Sequence, residues 1–325
     1  MKYFDYFYRD EFTLAVPCPK QWDVFLSAWD GSERVQSVFG HVQAGIKQWI
    51  VHPEYRIAAD RLPDNAPLLH AGGGEAASMI AVVAHLQSLG DITAMRLCVD
   101  ITGMLRPQIA ILTRLLKHRG VEEFDALYSQ PKNYTHRERT RFSSGEVSDV
   151  REVTGFEGVN SQGVEQILIV APGFDEVMLR EVFSHKAAVR NQYQLFGLPS
   201  LQADMYQQNI LQAYGIDTPT PAKEAAYRKR FASASDPFAV ANEISAIVTE
   251  VRQRHKRARF YVAPLGPKPQ MLGSALYYLT ETADAALSII YPVVSAHASG
   301  TSTGTSRISI NTIDFRLVDA LSGRH

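Results

Sequence analysis

The sequence predicts an α/β protein made of two similar lobes, each with a mainly parallel sheet covered by helices. The chain has 325 residues, enough for two domains at roughly 150 residues per domain. Short apolar runs alternate with segments of helical periodicity, which is the pattern of parallel sheets in α/β proteins. The same order of elements occurs twice along the chain, and this predicts two lobes rather than one large domain.

The composition excludes several classes of protein. Apolar residues make up 46% of the chain and charged residues 21%, so the chain can build a core and is neither collagen-like nor disordered throughout. The 33 basic and 34 acidic residues give a net charge of -1. No overall field therefore attracts DNA or an anionic membrane, and any basic site has to be a local patch.

Cysteine usage and apolar stretches predict a cytoplasmic protein. Cys18 and Cys98 are the two cysteines, too few for a disulfide framework, which is typical of a reducing compartment. Charged residues interrupt the aromatic start 1–10, so it does not have the pattern of a signal peptide. The longest apolar stretch, 76–89, is shorter than the roughly 18 residues of a membrane-spanning helix. We expect no membrane segment.

The first lobe opens with a predicted strand, turn and helix. The apolar run 23–27 is followed by the turn Asp30-Gly31-Ser32 and by a helical pattern that ends in Val38-Phe39-Gly40-His41. The second half repeats this unit in the same order. Its counterparts are the strand 166–170, the turn Gly173-Phe174-Asp175 and the helix end Val182-Phe183-Ser184-His185.

The next elements keep the same order in both halves. Each half has a short apolar run that ends in proline, then an amphipathic helix, then another apolar strand. Proline cannot continue a central strand ladder, so it marks the end of each run. The pairs are 48–53 and 194–199 for the run, 75–89 and 239–254 for the helix, and 96–100 and 259–263 for the strand.

The strongest match between the halves is a turn that leads into a helix. The segments 99–108 and 262–270 share a strand, a glycine, a basic residue, a proline and a glutamine. Pro107 and Pro269 mark helix N-termini, where the missing proline N–H would be unsatisfied anyway. Each helix is followed by a tyrosine-ended strand, a Ser/Thr/Gly-rich segment and a last strand: 124–128, 143–145 and a strand ending at Phe156, then 286–291, 300–304 and a strand ending at Phe315.

These matches give the expected domain organisation. Residues 1–22 form an aromatic N-terminal segment, 23–160 the first lobe and 161–325 the second lobe. The second lobe carries an insert at 204–235, which is predicted to contain two helical stretches separated by prolines.

The duplicated turn is a candidate phosphate site in each lobe. Free N–H groups and the helix dipole favour an anion at a helix N-terminus. A glycine lets a phosphate approach, and a basic residue adds a formal charge beside it. A cation at the positive end of a helix also needs a counterion. The candidate residues are Gly103 and Arg106 in the first lobe, and Gly266, Lys268 and Gln270 in the second.

Polar residues at the first lobe's strand ends are further candidates. Ser27, Asp30 and Ser32 can hydrogen-bond a base or a ribose, whereas the second lobe is mostly apolar there. Asp100, which precedes Thr102, could bind a ribose hydroxyl or act as a base. The second lobe has alanine in place of Asp100, so at most one lobe is expected to be catalytic.

The remaining motifs give weaker indications. The glycine-rich turn 71–75 matches no dinucleotide or P-loop fingerprint and is interpreted as a flexible connection. The basic cluster 136–141 could close over a polyphosphate, whereas the cluster 252–259 is interpreted as charge at a helix end. His41 and His185 are interpreted as packing or capping residues. Metal-ligand and hydrolase motifs are missing from the sequence, so we expect no metal and no cofactor.

The strand-turn-helix sequences resemble a known family. Asp100-Ile-Thr-Gly103 and Pro264-Leu-Gly-Pro-Lys-Pro-Gln270 resemble the signature of CARF domains, the CRISPR-associated Rossmann folds, which sense cyclic oligonucleotides. Two CARF-like lobes in one chain are similar to SAVED domains, which sense cyclic nucleotides in bacterial antiphage defence. The resemblance implies two tandem Rossmann-like lobes arranged as an internal pseudo-dimer. It also implies a ligand in a cleft between them, contacted by Ser27, Asp30, Thr102, Arg106 and Lys268.

Three functions stay open at this point. The first is a nucleotide sensor or adaptor, whose effector activity lies in a partner protein because no effector segment is evident. The second is a metal-independent phosphodiesterase that cleaves such a ligand, with Arg/Lys charge stabilising the reaction. The third is a structural assembly subunit that contacts a partner through its aromatic N-terminus: Tyr3, Phe4, Tyr6, Phe7 and Tyr8. A homo-oligomer is possible as well.

Overall fold

A computed structural model describes most of the chain as helices and strands of two separate sheets. The described residues are 1–70, 72–134, 147–159, 164–202, 205, 207, 228–281, 286–294 and 302–323. The basic cluster 136–141 and the prolines of the insert lie outside the described residues. Among the helices in the described ranges, none has the length and apolar character that crossing a bilayer requires.

Seven helices and thirteen strands are defined in these residues. The helices are α1 Glu33–His41, α2 Glu75–Leu89, α3 Arg106–His118, α4 Glu176–His185, α5 Pro237–Arg254, α6 Lys268–Leu279 and α7 Phe315–Ser322. The strands are β1 Arg9–Phe12, β2 Gln21–Trp29, β3 Gln43–Val51, β4 Leu68–His70, β5 Leu97–Asp100, β6 Glu123–Tyr134, β7 Val147–Glu152, β8 Gln166–Ala171, β9 Asn191–Gly197, β10 Arg228–Ala232, β11 Arg259–Pro264, β12 Leu287–Val294 and β13 Ser302–Asp314.

The first sheet has seven strands in the order β1-β13-β6-β5-β2-β3-β4. Strands β2 to β6 are parallel to their neighbours, whereas β13 pairs antiparallel with β6 and β1 pairs antiparallel with β13. The register places Ser27 of β2 opposite Asp100 of β5, and Asp100 opposite Leu127 of β6. Three neighbouring strand ends therefore meet at one edge.

The second sheet has six strands in the order β10-β9-β8-β11-β12-β7, all parallel except β7. Its five parallel strands have the same spatial order as those of the first sheet: third, second, first, fourth, fifth in chain order. This is the order of a Rossmann-like half, with the first and fourth strands adjacent. The predicted α/β class, with two Rossmann-like lobes and mainly parallel sheets, is confirmed.

Each sheet contains an antiparallel strand that comes from the other half of the sequence. β7 pairs with β12, and β13 pairs with β6. The first unit accordingly comprises Phe7–Phe142 with Ala296–Leu317, and the second unit comprises Met1–Tyr6, Ser143–Ser295 and Val318–His325. The boundary expected near residue 160 does not coincide with this division, because a strand joins whichever sheet edge pairs with it.

The C-terminal part of the insert 204–235 is a strand rather than a helix. β10 pairs in parallel with β9 along its whole length, from Arg228 opposite Tyr193 to Ala232 opposite Gly197. β10 takes the edge position that β4 holds in the first sheet. The helical prediction is therefore wrong for β10, because pairing with β9 determines its structure.

Aromatic side chains fill the core of the first unit. Trp22, Phe25 and Trp29 of β2 are buried, as in a strand covered by helices on both faces. Phe39 of α1 stacks on Trp49 of β3, with ring centroids 3.8 Å apart. The apolar spacing of α1 therefore fixes the helix against the sheet and aims its N-terminus at the carboxyl edge.

The aromatic N-terminus is only partly available for contacts. Phe4 and Phe7 are buried, with 0% and 8% of their surface exposed. In the second unit, the Phe4 N–H donates to Oδ1 of Asn242. The prediction that Phe4 and Phe7 contact a partner is therefore wrong, since they belong to the core. Tyr3 and Tyr6 are exposed.

Candidate ligand-binding site at the carboxyl edge of the first sheet

Polar side chains converge where the order of the first sheet changes direction. In open α/β sheets, ligands bind beyond the carboxyl ends of the strands at this point. Here the point lies between β2 and β5, which carry Ser27 and Asp100 side by side. The Ser27 hydroxyl donates to Oδ2 of Asp100 at 2.9 Å and so bridges the two strands.

The network continues from Asp100 to the third strand. The Thr102 N–H donates to Oδ1 of Asp100 at 2.9 Å. Thr102 Oγ1 accepts the Ser129 N–H at 2.9 Å and lies 3.2 Å from Ser129 Oγ. Ser27, Asp100, Thr102 and Ser129 are all 0% exposed. A connected polar network of this kind rigidifies the site because each member satisfies the next.

Asp100 is held in a low-dielectric environment. Burial raises the pKa of Asp100, although hydrogen bonds from Thr102 and Ser27 and the charge of Arg34 favour its ionised form. The expected ligand contacts of Ser27, Asp100 and Thr102 stay predictions. In this structure the three side chains are buried beneath the carboxyl edge of the sheet.

Arg34, Tyr128 and Ser129 complete the site and were not singled out from the sequence. The Arg34 guanidinium, which is 8% exposed, donates from Nη1 to the Ser129 carbonyl at 2.7 Å. Burial raises the pKa of Tyr128, against a hydrogen bond from Arg34 and the charge of Arg106. The sequence does contain one feature that points to Arg34: it lies in the first turn of α1, just after the predicted Asp30-Gly31-Ser32 turn.

The turn after β2 organises the start of α1. Oδ1 of Asp30 accepts the Ser32 N–H at 2.9 Å, and the Ser32 side chain accepts the Val35 N–H as the N-cap of α1. Ser32 is buried, whereas Asp30 is partly exposed. Asp30 therefore remains accessible to a ligand at this edge, while the Ser32 hydroxyl already has a structural role.

The glycine of the first duplicated turn is required by close packing. A Cβ at Gly103 would lie 1.9 Å from the Ala28 carbonyl oxygen. The Tyr55 hydroxyl donates to the Gly103 carbonyl at 2.8 Å and covers the turn. Gly103 was expected to let a phosphate approach. In the structure, glycine is required at this position because of the close packing against Ala28. Arg106, the first residue of α3, is partly exposed beside the turn.

The corresponding turn of the second unit is less polar. A Cβ at Gly266 would lie 1.9 Å from Oε1 of Gln270, and a Cβ at Gly173 would lie 2.3 Å from the Leu265 carbonyl oxygen. Gly266 and Gln270 are buried, whereas Lys268, the first residue of α6, is partly exposed. The first unit therefore offers the richer set of polar groups.

Other sequence candidates have structural roles. Arg252 and Arg259 of the second basic cluster form ion pairs with Glu281 at 2.6 Å and Glu152 at 2.9 Å. The cluster was interpreted as charge at a helix end, and this holds for Arg252 in the last turn of α5, whereas Arg259 is the first residue of β11. His41 stacks on Phe12, in line with its predicted packing role.

Two negative findings concern metal binding and similarity to known proteins. Within the described ranges, no three His, Cys, Asp or Glu side chains are grouped so that they could hold a metal ion. Neither a protein-family model nor a curated protein sequence matches the chain.

Proposed function

We propose that this protein binds a phosphorylated nucleotide of the cyclic oligonucleotide type at the carboxyl edge of its first sheet, and that it acts as a sensor or adaptor. The observation that carries the proposal is the buried network from Ser27 to Ser129 at the strand-order switch, beside the Arg106 turn. Such a network holds the surrounding turns in a fixed geometry before a ligand arrives, which lowers the entropy lost on binding.

The electrostatics of this edge favour an anion. α1 follows β2 and α3 follows β5, so two helix N-termini lie at the same edge. Each N-terminus carries a partial positive charge, and Arg106 adds a formal charge at the start of α3. Partly exposed Asp30 can accept from a ribose hydroxyl or a base N–H on the same ligand.

Binding is favoured over cleavage by the burial of Asp100. A general base has to come within hydrogen-bond reach of the proton that it removes. Asp100 is 0% exposed and already accepts from Ser27 and Thr102. The phosphodiesterase alternative therefore gains no support from this carboxyl group.

Calorimetric titration with cyclic oligonucleotides of different ring size and base tests the proposal. Arg106→Ala should weaken binding by about tenfold to a hundredfold, the value of a charge-assisted hydrogen bond. Arg114→Ala is the matched control, because Arg114 is an exposed residue of the same helix, α3. Failure of every member of the panel to bind, or equal affinities of the two variants, would contradict the proposal.

The same samples separate a sensor from a phosphodiesterase. A sensor should return the bound nucleotide intact after long incubation, as measured by mass spectrometry. Progressive appearance of linear products that the Arg106→Ala variant does not form would instead favour the phosphodiesterase.

A further inference from the structure

Two glutamines at matching positions of the duplicated turn are buried without hydrogen bonds. Gln108 is the third residue of α3, and Gln270 is the third residue of α6. Both side chains are 0% exposed. Within the part of the chain that the structure describes, neither the amide nitrogen nor the amide oxygen of either residue has a partner.

A buried amide in this state is unfavourable for folding. It loses its hydrogen bonds to water and gains none in return, whereas an apolar side chain of similar shape would carry no such penalty. Buried polar groups in native proteins are nearly always bonded, so each exception needs an explanation.

The fold is able to satisfy a buried glutamine elsewhere in the first unit. Gln48 of β3 is 3% exposed. Its Nε2 donates to the Pro67 carbonyl at 2.7 Å, and its Oε1 lies 3.0 Å from Nε2 of His85. Gln108 and Gln270 therefore differ from Gln48 in their bonding and not in their burial.

The two turns keep the glutamine although their other residues differ. Asp100 and Thr102 of the first turn correspond to Ala263 and Leu265 of the second. The polar network of the first turn is thus missing from the second, yet each helix starts with a basic residue, proline and glutamine. An unbonded amide at the same place in both halves indicates a role that packing does not supply.

The position of Gln270 connects its amide to the duplicated turn of the second unit. Its Oε1 lies against Gly266, in the turn that precedes α6. Lys268, the first residue of α6, follows the same turn. The amide of Gln270 therefore packs beside the turn where the sequence predicts a phosphate in the second unit.

We propose that Gln108 and Gln270 are ligand-specificity residues, each within its own unit, whose amides form their hydrogen bonds only with a nucleotide bound at their own duplicated turn. The inference rests on the proposed function and deepens it. An amide has both a donor and an acceptor, so it is satisfied by a ligand that offers a phosphate oxygen together with a ribose hydroxyl or a base N–H. The chemistry selects a nucleotide over a bare polyphosphate. Because both amides are buried, binding includes a local movement of the turn.

The melting temperature without ligand gives the first readout. Gln108→Met and Gln270→Met should each raise it by about 2–4 °C, because an unsatisfied amide is replaced by an apolar side chain of similar length. Gln48→Met is the matched control and should lower the melting temperature, since it breaks existing hydrogen bonds. A fall for Gln108→Met and Gln270→Met would show that the amides are structural and would overturn the proposal. Leucine replaces methionine at either position if a variant does not fold.

Calorimetry gives the second readout, with the panel nucleotide that the wild type binds best and with inorganic tripolyphosphate. Gln108→Met should weaken nucleotide binding at the turn of the first unit by about tenfold, and Gln270→Met should do the same for binding at the turn of the second unit. Neither variant should change tripolyphosphate binding. Arg106→Ala should weaken the binding of both the nucleotide and tripolyphosphate. If the wild type binds no nucleotide, the proposed function itself fails. If the wild type binds and the glutamine variants bind equally well, only the specificity proposal is overturned.

Discussion

The buried residues Ser27, Asp100, Thr102 and Ser129 hold the site together, because each is hydrogen-bonded to the next. The spacing of Asp100, Thr102 and Gly103 after an apolar strand predicted a polar turn at the sheet edge, and these residues do lie there. The hydrogen bonds of Asp100 to Ser27 and of Thr102 to Ser129 were not predictable, because the two serines are distant in sequence and meet these residues only through strand pairing.

Asp100 should make stability depend on pH in a specific direction. Its pKa is raised in the folded state, so its contribution is fully present below the unfolded pKa and is lost as the pH rises through the folded value. Asp100→Asn keeps the shape and does not titrate. The stability of Asp100→Asn relative to wild type should therefore increase as the pH rises from about 4, the ordinary pKa of aspartate, through the raised pKa of Asp100 in the folded state. Urea unfolding at a series of pH values measures this, and a pH-independent difference contradicts the assignment.

Two glycine substitutions should have opposite effects. Gly103→Ala places a Cβ 1.9 Å from the Ala28 carbonyl oxygen, whereas a Cβ at Gly40 of α1 has no atom within 4 Å. We expect Gly103→Ala to reduce the free energy of unfolding by about 1–3 kcal/mol or more. Gly40→Ala should increase it by about 0.5–1 kcal/mol. Equal midpoints of chemical denaturation for the two variants would be the contrary result.

Individual helices and strands were predictable to differing degrees. The ends of α2, 75 and 89, were predicted correctly, because local sequence marks them: Gly74 and Gly90 flank the helix in non-helical conformations. Strands were less accurate. β3 begins at Gln43 rather than 48, and β10 lies in a segment predicted to be helical. Strand limits follow from the neighbouring strand, which a single stretch of sequence does not contain.

The start of α5 depends on one side chain. Oδ1 of Asp236 accepts the N–H groups of Phe238 and Ala239 at 2.9 and 3.1 Å. Asp236→Ala should lower the free energy of unfolding by about 1 kcal/mol, and Asp236→Asn should retain most of it, because both Asp and Asn are strong N-caps. Thermal unfolding compares the variants. A loss of the same size for alanine and asparagine would argue against the cap.

At the scale of the whole molecule, the repeat predicted two lobes but not which strands belong to each lobe. The last strand of each half was expected in its own lobe, since nothing local distinguishes one sheet edge from another. The structure instead places β13 beside β6 and β7 beside β12. Each half of the sequence therefore cannot complete its sheet without the other half.

This exchange can be tested because all three tryptophans, Trp22, Trp29 and Trp49, belong to the first unit. Ile310 of β13 packs in that unit's core, and Val150 of β7 is buried in the second unit. Ile310→Ala should lower the urea midpoint of tryptophan fluorescence by more than Val150→Ala does, because a buried isoleucine contributes about 2–5 kcal/mol. A larger effect of Val150→Ala would indicate that β7 belongs to the first unit and β13 to the second, contrary to the structure.

The central claim is that a phosphorylated nucleotide binds at the carboxyl edge of the first sheet. Backbone amide hydrogen exchange with and without cyclic oligonucleotides from the panel tests it directly. A nucleotide that binds should slow exchange in the turns 30–35 and 101–109, and Arg106→Ala should reduce that protection. Unchanged exchange in both turns with every nucleotide, at concentrations where binding is saturated or solubility is reached, would contradict the claim.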